Sequence, residues 1–227
     1  MPKHIVFPSR KERIFGWIYA ILGTQILPYL LNLICSGVGI TLTGTQLNLA
    51  YFVVNFLVVS LVFHRFWAKT GKDILDRLLW IFLMAAAFFS VYLLASQLLG
   101  RLILWLKPDF ANANDQSVAA IASSYYIPTL ICTVFLVPVT EECLHRGVIF
   151  GSLFKRNAIV AYAVSTVLFA LVHINWQVGD PIIIALSILQ YIPAGLCLAA
   201  AYQLSGSITA PILIHMAVNA IGMIALR

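Results

Sequence analysis

Hydrophobic residues in this chain come in blocks about twenty residues long, and a soluble core has no use for so many of them. Soluble domains carry about a quarter charged residues. Here Asp, Glu, Lys and Arg make up 10% of the sequence and apolar residues 62%, with a mean hydropathy of +0.96. Backbone polar groups inside a bilayer have no water to bond, so each spanning block must be helical. The chain therefore reads as all-α, a polytopic membrane bundle of seven to eight transmembrane helices forming a single membrane domain over residues 1–227. Spans are placed at Ile14–Ile34, Leu47–His64, Leu78–Trp105, Ile121–Val137, Ala158–His173, Ile182–Tyr202 and Ile208–Leu226, with Thr140–Phe154 as a candidate eighth. The first block is too long and too poor in small cleavage-site residues for a removed signal peptide, so it is expected to stay as a span.

The net charge of +6 is informative once divided among the loops. Lys3, Arg10, Lys11 and Arg13 precede the first span, and Arg65, Lys69, Lys72 and Arg77 lie between the second and third. The stretch from Ser36 to Gln46 has no charge. Lys and Arg near span ends mark the cytoplasmic side, which places the N-terminus in the cytoplasm. These cations are spread over juxtamembrane segments rather than gathered on one face, so the partner they suit is the lipid bilayer and its anionic headgroups, and no nucleic acid is expected. Cys35, Cys132, Cys143 and Cys197 have neither paired nor zinc-finger spacing and imply no disulfide framework.

Against this apolar background Glu141 and Glu142 are the only acidic residues between Gln116 and Gly179. An ionisable side chain inside a span is costly and marks a functional site by default. Arg146 follows Glu142 by four residues, which puts the two on one helix face with the acid in the favourable N-terminal position. Such a pair reads as structural. Glu141 then points about 100° away, free of the arginine, and is the better candidate for a general base. His173 and His215 stand alone in apolar segments, and Asn219 shares a helix face with His215. A lone buried histidine is ordinarily a satisfied core residue. Depth argues for more: if residues 155–157 form a turn, Glu141 and His173 each lie about 20 to 25 Å from it on antiparallel neighbours. His215 and Asn219 fall at about 13 to 20 Å, a looser match.

The patterns Glu141-Glu142-x-x-x-Arg146-Gly147, Phe169-x-x-x-His173 and His215-x-x-x-Asn219, in that order on successive hydrophobic segments, resemble the CPBP family. That family includes CAAX prenyl-protein endopeptidases and bacteriocin-processing and bacteriocin-immunity (Abi) membrane proteins. The likeness runs over about Ile121 to Leu226 and makes residues 121–226 the expected catalytic core. By motif position it implies that Glu141 activates the attacking water, that His173, His215 and Asn219 complete the catalytic set, and that Glu142 and Arg146 support it. The substrate class it implies is a peptide or lipidated peptide at the membrane. The motif is compatible with a divalent metal such as Zn2+ held by His173 and His215, and equally with a glutamate-activated water and no metal; the compact H-E-x-x-H helix of ordinary zinc proteases is missing. The family pattern leaves His145 variable, and a carboxylate beside Cys143 disfavours a thiolate there.

Three classes of function follow. The leading one is an intramembrane endopeptidase in a bacterial plasma membrane. A non-catalytic immunity or scaffold protein that binds a peptide or sensor partner is the alternative, although a binding protein has little reason to keep four costly polar groups buried. A proton-coupled transporter would also use buried Glu and His, but the sequence carries no inverted repeat.

Overall fold

The computed structural model describes residues 5–174, 176 and 179–227. Lys3, counted above among the N-terminal cations, lies outside them. Among the described residues there are seven continuous helices and no strand: α1 Arg10–Gly37, α2 Gly44–Val62, α3 His64–Leu106, α4 Ala113–Phe154, α5 Ala158–Val172, α6 Pro181–Ser205 and α7 Thr209–Ala225. The chain is a helical membrane bundle. The candidate eighth span, Thr140–Phe154, is the second half of α4. No turn residue separates Val137 from Thr140, and the helix runs on through Pro138, which sits in the first turn after a π-helical stretch.

Helices α3 and α4, at 43 and 42 residues, are about twice as long as a hydrocarbon core of roughly 30 Å needs. Each is broken once. Arg77 (φ −133°, ψ 18°) divides α3 into a charged segment and an apolar span, which is where the hydrophobic block begins in the sequence. Tyr125 (φ −140°, ψ 60°) divides α4. Helices α5 and α7, with 15 and 17 residues, cover only about 22 to 26 Å. His173, the C-cap of α5, is accordingly held at depth rather than at the surface.

Side-chain caps define where the helices start. Ser9 and Glu12 form a capping box at α1, and Thr43 and Gln46 form one at α2. Asn112, Asn157 and Asp180 accept main-chain N–H groups at the starts of α4, α5 and α6. Glu12 has a second task. The N-cap position of α3, Phe63, has no capping side chain, and Glu12 Oε1 accepts the free N–H of Phe66 at 3.0 Å instead. This ties the start of α1 to the start of α3.

The same end of the bundle collects the remaining basic links. Val6 N–H donates to Gly206 O, and Tyr202 Oη donates to Val6 O. Arg77 donates to Ser205 O and Trp80 Nε1 to Leu204 O. Gly206 takes the left-handed φ of 76° that lets α6 stop and α7 turn back. A dry core fills this end, with Phe63, Phe66, Val148, Phe150, Tyr202 and Ile208 fully buried.

Helix α6 packs between α3 and α5. Its approach to α5 depends on Gly195, where an added Cβ would stand 2.5 Å from Thr166 Cγ2 and 2.9 Å from Thr166 Cα. A backbone atom cannot rotate aside. Gly195→Ala should therefore lower stability by about 1 to 3 kcal/mol, read as a lower thermal midpoint in detergent, and an unchanged midpoint contradicts this packing.

Candidate active site

Glu141, His173 and His215 come together where α4, α5 and α7 meet. Glu141 Oε2 lies 3.6 Å from His173 Nε2 and 4.0 Å from His215 Nε2. It has no hydrogen-bond partner within the protein. The contact between Glu141 and His173 is the one that equal depth from the 155–157 turn predicts. Helix α5 ends at His173, whose Nδ1 turns back to Phe169 O at 2.7 Å.

The other ring nitrogens settle which protons are where. A main-chain carbonyl can only accept, so His173 Nδ1 donates and, in the neutral ring, Nε2 is an acceptor. His215 Nδ1 lies 2.8 Å from Glu142 Oε1, and a carboxylate likewise accepts, so its Nε2 is an acceptor too. Three acceptors, one carboxylate oxygen and two imidazole nitrogens, converge on the same space.

Glu142 does more than pair with Arg146. Its Oε1 accepts from Arg146 Nη1 at 3.1 Å and from His215 Nδ1 at 2.8 Å, with both partners of the ion pair fully buried. Sequence spacing finds the first bond but not the second, which joins residues 73 positions apart. Arg146 also lies over the Phe169 ring, 4.2 Å from its centroid, and reaches Gly195 O at 3.5 Å. Each buried charge thus has an opposite charge beside it, while Glu142 Oε2 and Arg146 Nε make no hydrogen bond.

Asn219 lines the same space, and its Nδ2 donates to Thr133 O at 2.7 Å. The reason is local. In the π-helical turn Cys132–Leu136 the N–H of Val137 bonds to Cys132 O, so the next donor in register for Thr133 O is residue 138. Proline at 138 has no N–H, and the carbonyl left over is taken by Asn219. One N–H of the amide remains.

His145 bonds to Glu141 through the main chain, Nδ1 to the Glu141 carbonyl at 2.9 Å, rather than to the carboxylate. It is a buried member of the cavity wall. Cys143 is fully buried and does not line the cavity, so its thiol has no access to a substrate. Tyr191, which the sequence offers no reason to single out, stacks on His173 with ring centroids 4.4 Å apart and takes a hydrogen bond from Asn114 Nδ2 at 3.1 Å.

These groups stand in a cavity of about 680 Å³ inside the bundle. Its wall mixes apolar residues with Asn48, Tyr51, Asn55, Tyr92, Thr133 and Gln190. Glutamate with two neutral imidazoles is a donor set that holds zinc in some proteases. Among the described residues, however, no group of three or more His, Cys, Asp or Glu side chains is arranged to hold a metal ion.

The fold and this cluster define a class: a polytopic helical membrane protein with a carboxylate and imidazole site open to an internal cavity of mixed polar and apolar wall. Residues 123–221 match the family described as type II CAAX prenyl endopeptidase Rce1-like. The UPF0177 protein YxdF of Lactococcus lactis subsp. lactis (strain IL1403) is 28% identical over 159 residues, which cover 67% of this chain and 79% of that protein. No solved structure matches the chain.

Proposed function

We propose that the protein is an intramembrane endopeptidase that hydrolyses a peptide bond of a membrane-associated peptide, lipidated or not, with a water activated by Glu141. The observation that carries this reading is the convergence of three acceptors, Glu141 Oε2, His173 Nε2 and His215 Nε2, at a cavity inside an apolar bundle. Acceptors that face one another need a donor between them, and water supplies two hydrogens.

In the reaction Glu141 takes one proton from the water, with His173 holding the other hydrogen. The water oxygen bonds to the substrate carbonyl carbon, and the carbonyl oxygen becomes an oxyanion. The remaining N–H of Asn219 stabilises that charge. Glu141 then gives its proton to the amide nitrogen and the C–N bond breaks; His215 Nε2 takes the proton of the new carboxyl group, becoming an imidazolium that Glu142 stabilises, so that a carboxylate and an amine leave. No step is routed through a metal. The basic residues Arg10, Lys11, Arg13, Arg65, Lys69, Lys72, Lys155 and Arg156 lie at the end of the bundle where α1, α3 and α5 start. On that basis the protein sits in a bacterial plasma membrane with its N-terminus in the cytoplasm.

The test is cleavage of a membrane-tethered peptide library by the purified protein in liposomes, with products read by mass spectrometry. His173→Ala should slow cleavage by about 10² to 10⁴-fold, and wild-type activity should survive chelators. A wild-type rate from His173→Ala overturns the assignment. Activity lost to a chelator and restored by zinc overturns the water-only route.

A further inference from the structure

We infer that the cavity takes its substrate from the membrane face opposite the cytoplasm, as a peptide segment that is neutral or cationic beside the bond to be cut. This rests on the endopeptidase reading and names the substrate class for the same site.

The cavity has one closed end and one open end. Its wall includes Asn48 near the start of α2, Asp115 and Ser117 near the start of α4, His173 at the end of α5, and Gly222 and Leu226 near the end of α7. All of these lie at the end of the bundle away from the basic loops. Toward those loops the cavity stops at Leu144, Leu198 and Ile214. Beyond Leu144 on α4, toward those loops, lie the fully buried Arg146 and Phe150, with Tyr202 on α6, and Tyr202 Oη donates to the main chain of Val6. That end is closed by packed, fully buried side chains.

The open end is partly roofed by the first turns of α4. Asn112 Nδ2 donates to Gln190 Oε1 at 2.8 Å and Asn114 Nδ2 to Tyr191 Oη at 3.1 Å, while Tyr126 Oη, beyond the break at Tyr125, reaches Met223 O at 3.0 Å. The roof thus rests on α6 at one end and on α7 at the other. Asn114, Asp115, Ser117, Val118 and Ile121 from these turns line the cavity. A substrate entering here passes them before it reaches Glu141.

The charge of the wall points the same way. Among the described residues it carries two carboxylates, Asp115 and Glu141, and no Lys or Arg. A cytosolic tail that ended in a free carboxylate close to the cut would meet like charges with no cation to offset them. A segment on the outer side of the membrane with neutral or basic residues meets no such penalty.

Cysteine labelling in intact cells reads the open face without needing catalysis. In a Cys35→Ser background, Ser117→Cys should react with a membrane-impermeant maleimide added outside, and Lys155→Cys should react only after permeabilisation. Asn48→Cys on α2 reads the same end where Ser117→Cys does not accumulate. Labelling of Lys155→Cys in intact cells, or protection of both Ser117→Cys and Asn48→Cys until permeabilisation, overturns the proposal. The same labelling is expected in a Glu141→Gln background, so this inference and the endopeptidase reading fail separately. For the charge preference, a lysine-bearing peptide added outside sealed spheroplasts should be cut about tenfold or more faster than its glutamate-bearing twin, the scale of one like-charge encounter at roughly 10 Å in a medium of intermediate dielectric. Equal rates overturn that part.

Discussion

Glu141→Gln should lower the rate of peptide cleavage by about 10³-fold or more while leaving the protein as stable as wild type. The change keeps the size of the side chain and removes only its ability to take a proton. Stability should be spared because Glu141 is not held by the fold. Its Oε2 has no hydrogen-bond partner in the protein, and its side chain is 23% exposed to the cavity, whereas Glu142 beside it is fully buried and holds two donors. The amide would even relieve the crowding of acceptors, since its N–H can donate to His173 Nε2 or His215 Nε2. Two measurements on one preparation decide the matter: cleavage of a membrane-tethered peptide, and the thermal midpoint in detergent. A variant that cuts at the wild-type rate excludes Glu141 as the base. A variant that fails to fold leaves Glu141→Asp as the readable substitution, with the carboxylate drawn back by one methylene and the rate expected to fall with folding retained. Glu141→Gln combined with His173→Ala should cost little more than either alone, because two groups that act on one water fail as a unit. The same variant separates the enzyme from a peptide-binding immunity protein, whose protection of cells has no need of the base.

How much of this was legible beforehand depended on whether a relation is local or long-range. The bundle was legible because twenty-residue apolar blocks have few solutions, and the meeting of Glu141 with His173 was legible because both lie on helices that share the 155–157 turn, so depth can be counted from it. Counting gave His215 only a loose fit, and the structure explains why. Helix α7 starts after the irregular turn through Gly206 and Ser207, and nothing local sets its register against α4. What does set it is the bond from His215 to Glu142 and the bond from Asn219 to Thr133, across 73 and 86 positions of sequence. The second had a signal, a proline at 138 that strips Thr133 of its helical partner, but reading it requires knowing that the turn there is π-helical. Hydropathy also treated residues 65–77 as a loop between spans, because charge hides a helix from a hydrophobicity scan. The break at Arg77, rather than an end of helix, is what divides the charged segment from the span. The continuity of α4 through Pro138 was open in sequence because a proline inside a helix removes one main-chain hydrogen bond, and here that loss falls on Thr133 O, which Asn219 takes instead.

Removing Arg146 or Glu142 should have the opposite signature from Glu141→Gln, with folding lost first. Both are fully buried, and taking one partner from a buried pair leaves a charge without compensation, a cost of about 3 to 5 kcal/mol. Arg146→Ala also removes the guanidinium from the face of Phe169 and the bond to Gly195 O, so it should be the worst single change in the bundle. Arg146→Lys keeps the charge but not the planar fork that reaches Glu142, Gly195 and the ring together, and it should recover only part of the loss. The informative variant is the double one, Glu142→Gln with Arg146→Met. Two neutral side chains of similar volume replace the pair, and buried pairs replaced in this way commonly return most or all of the stability. If Glu142 acted only as the partner of Arg146, cleavage would return with the fold. Glu142 Oε1, however, also holds His215 Nδ1 at 2.8 Å and so fixes which ring nitrogen faces Glu141. The glutamine can still accept that bond, but it carries no charge to stabilise the imidazolium, so the double variant should be folded and slow, with the loss in kcat rather than KM. A folded double variant with full kcat would reduce Glu142 to a structural role and leave the orientation of His215 to its packing against Phe169 alone.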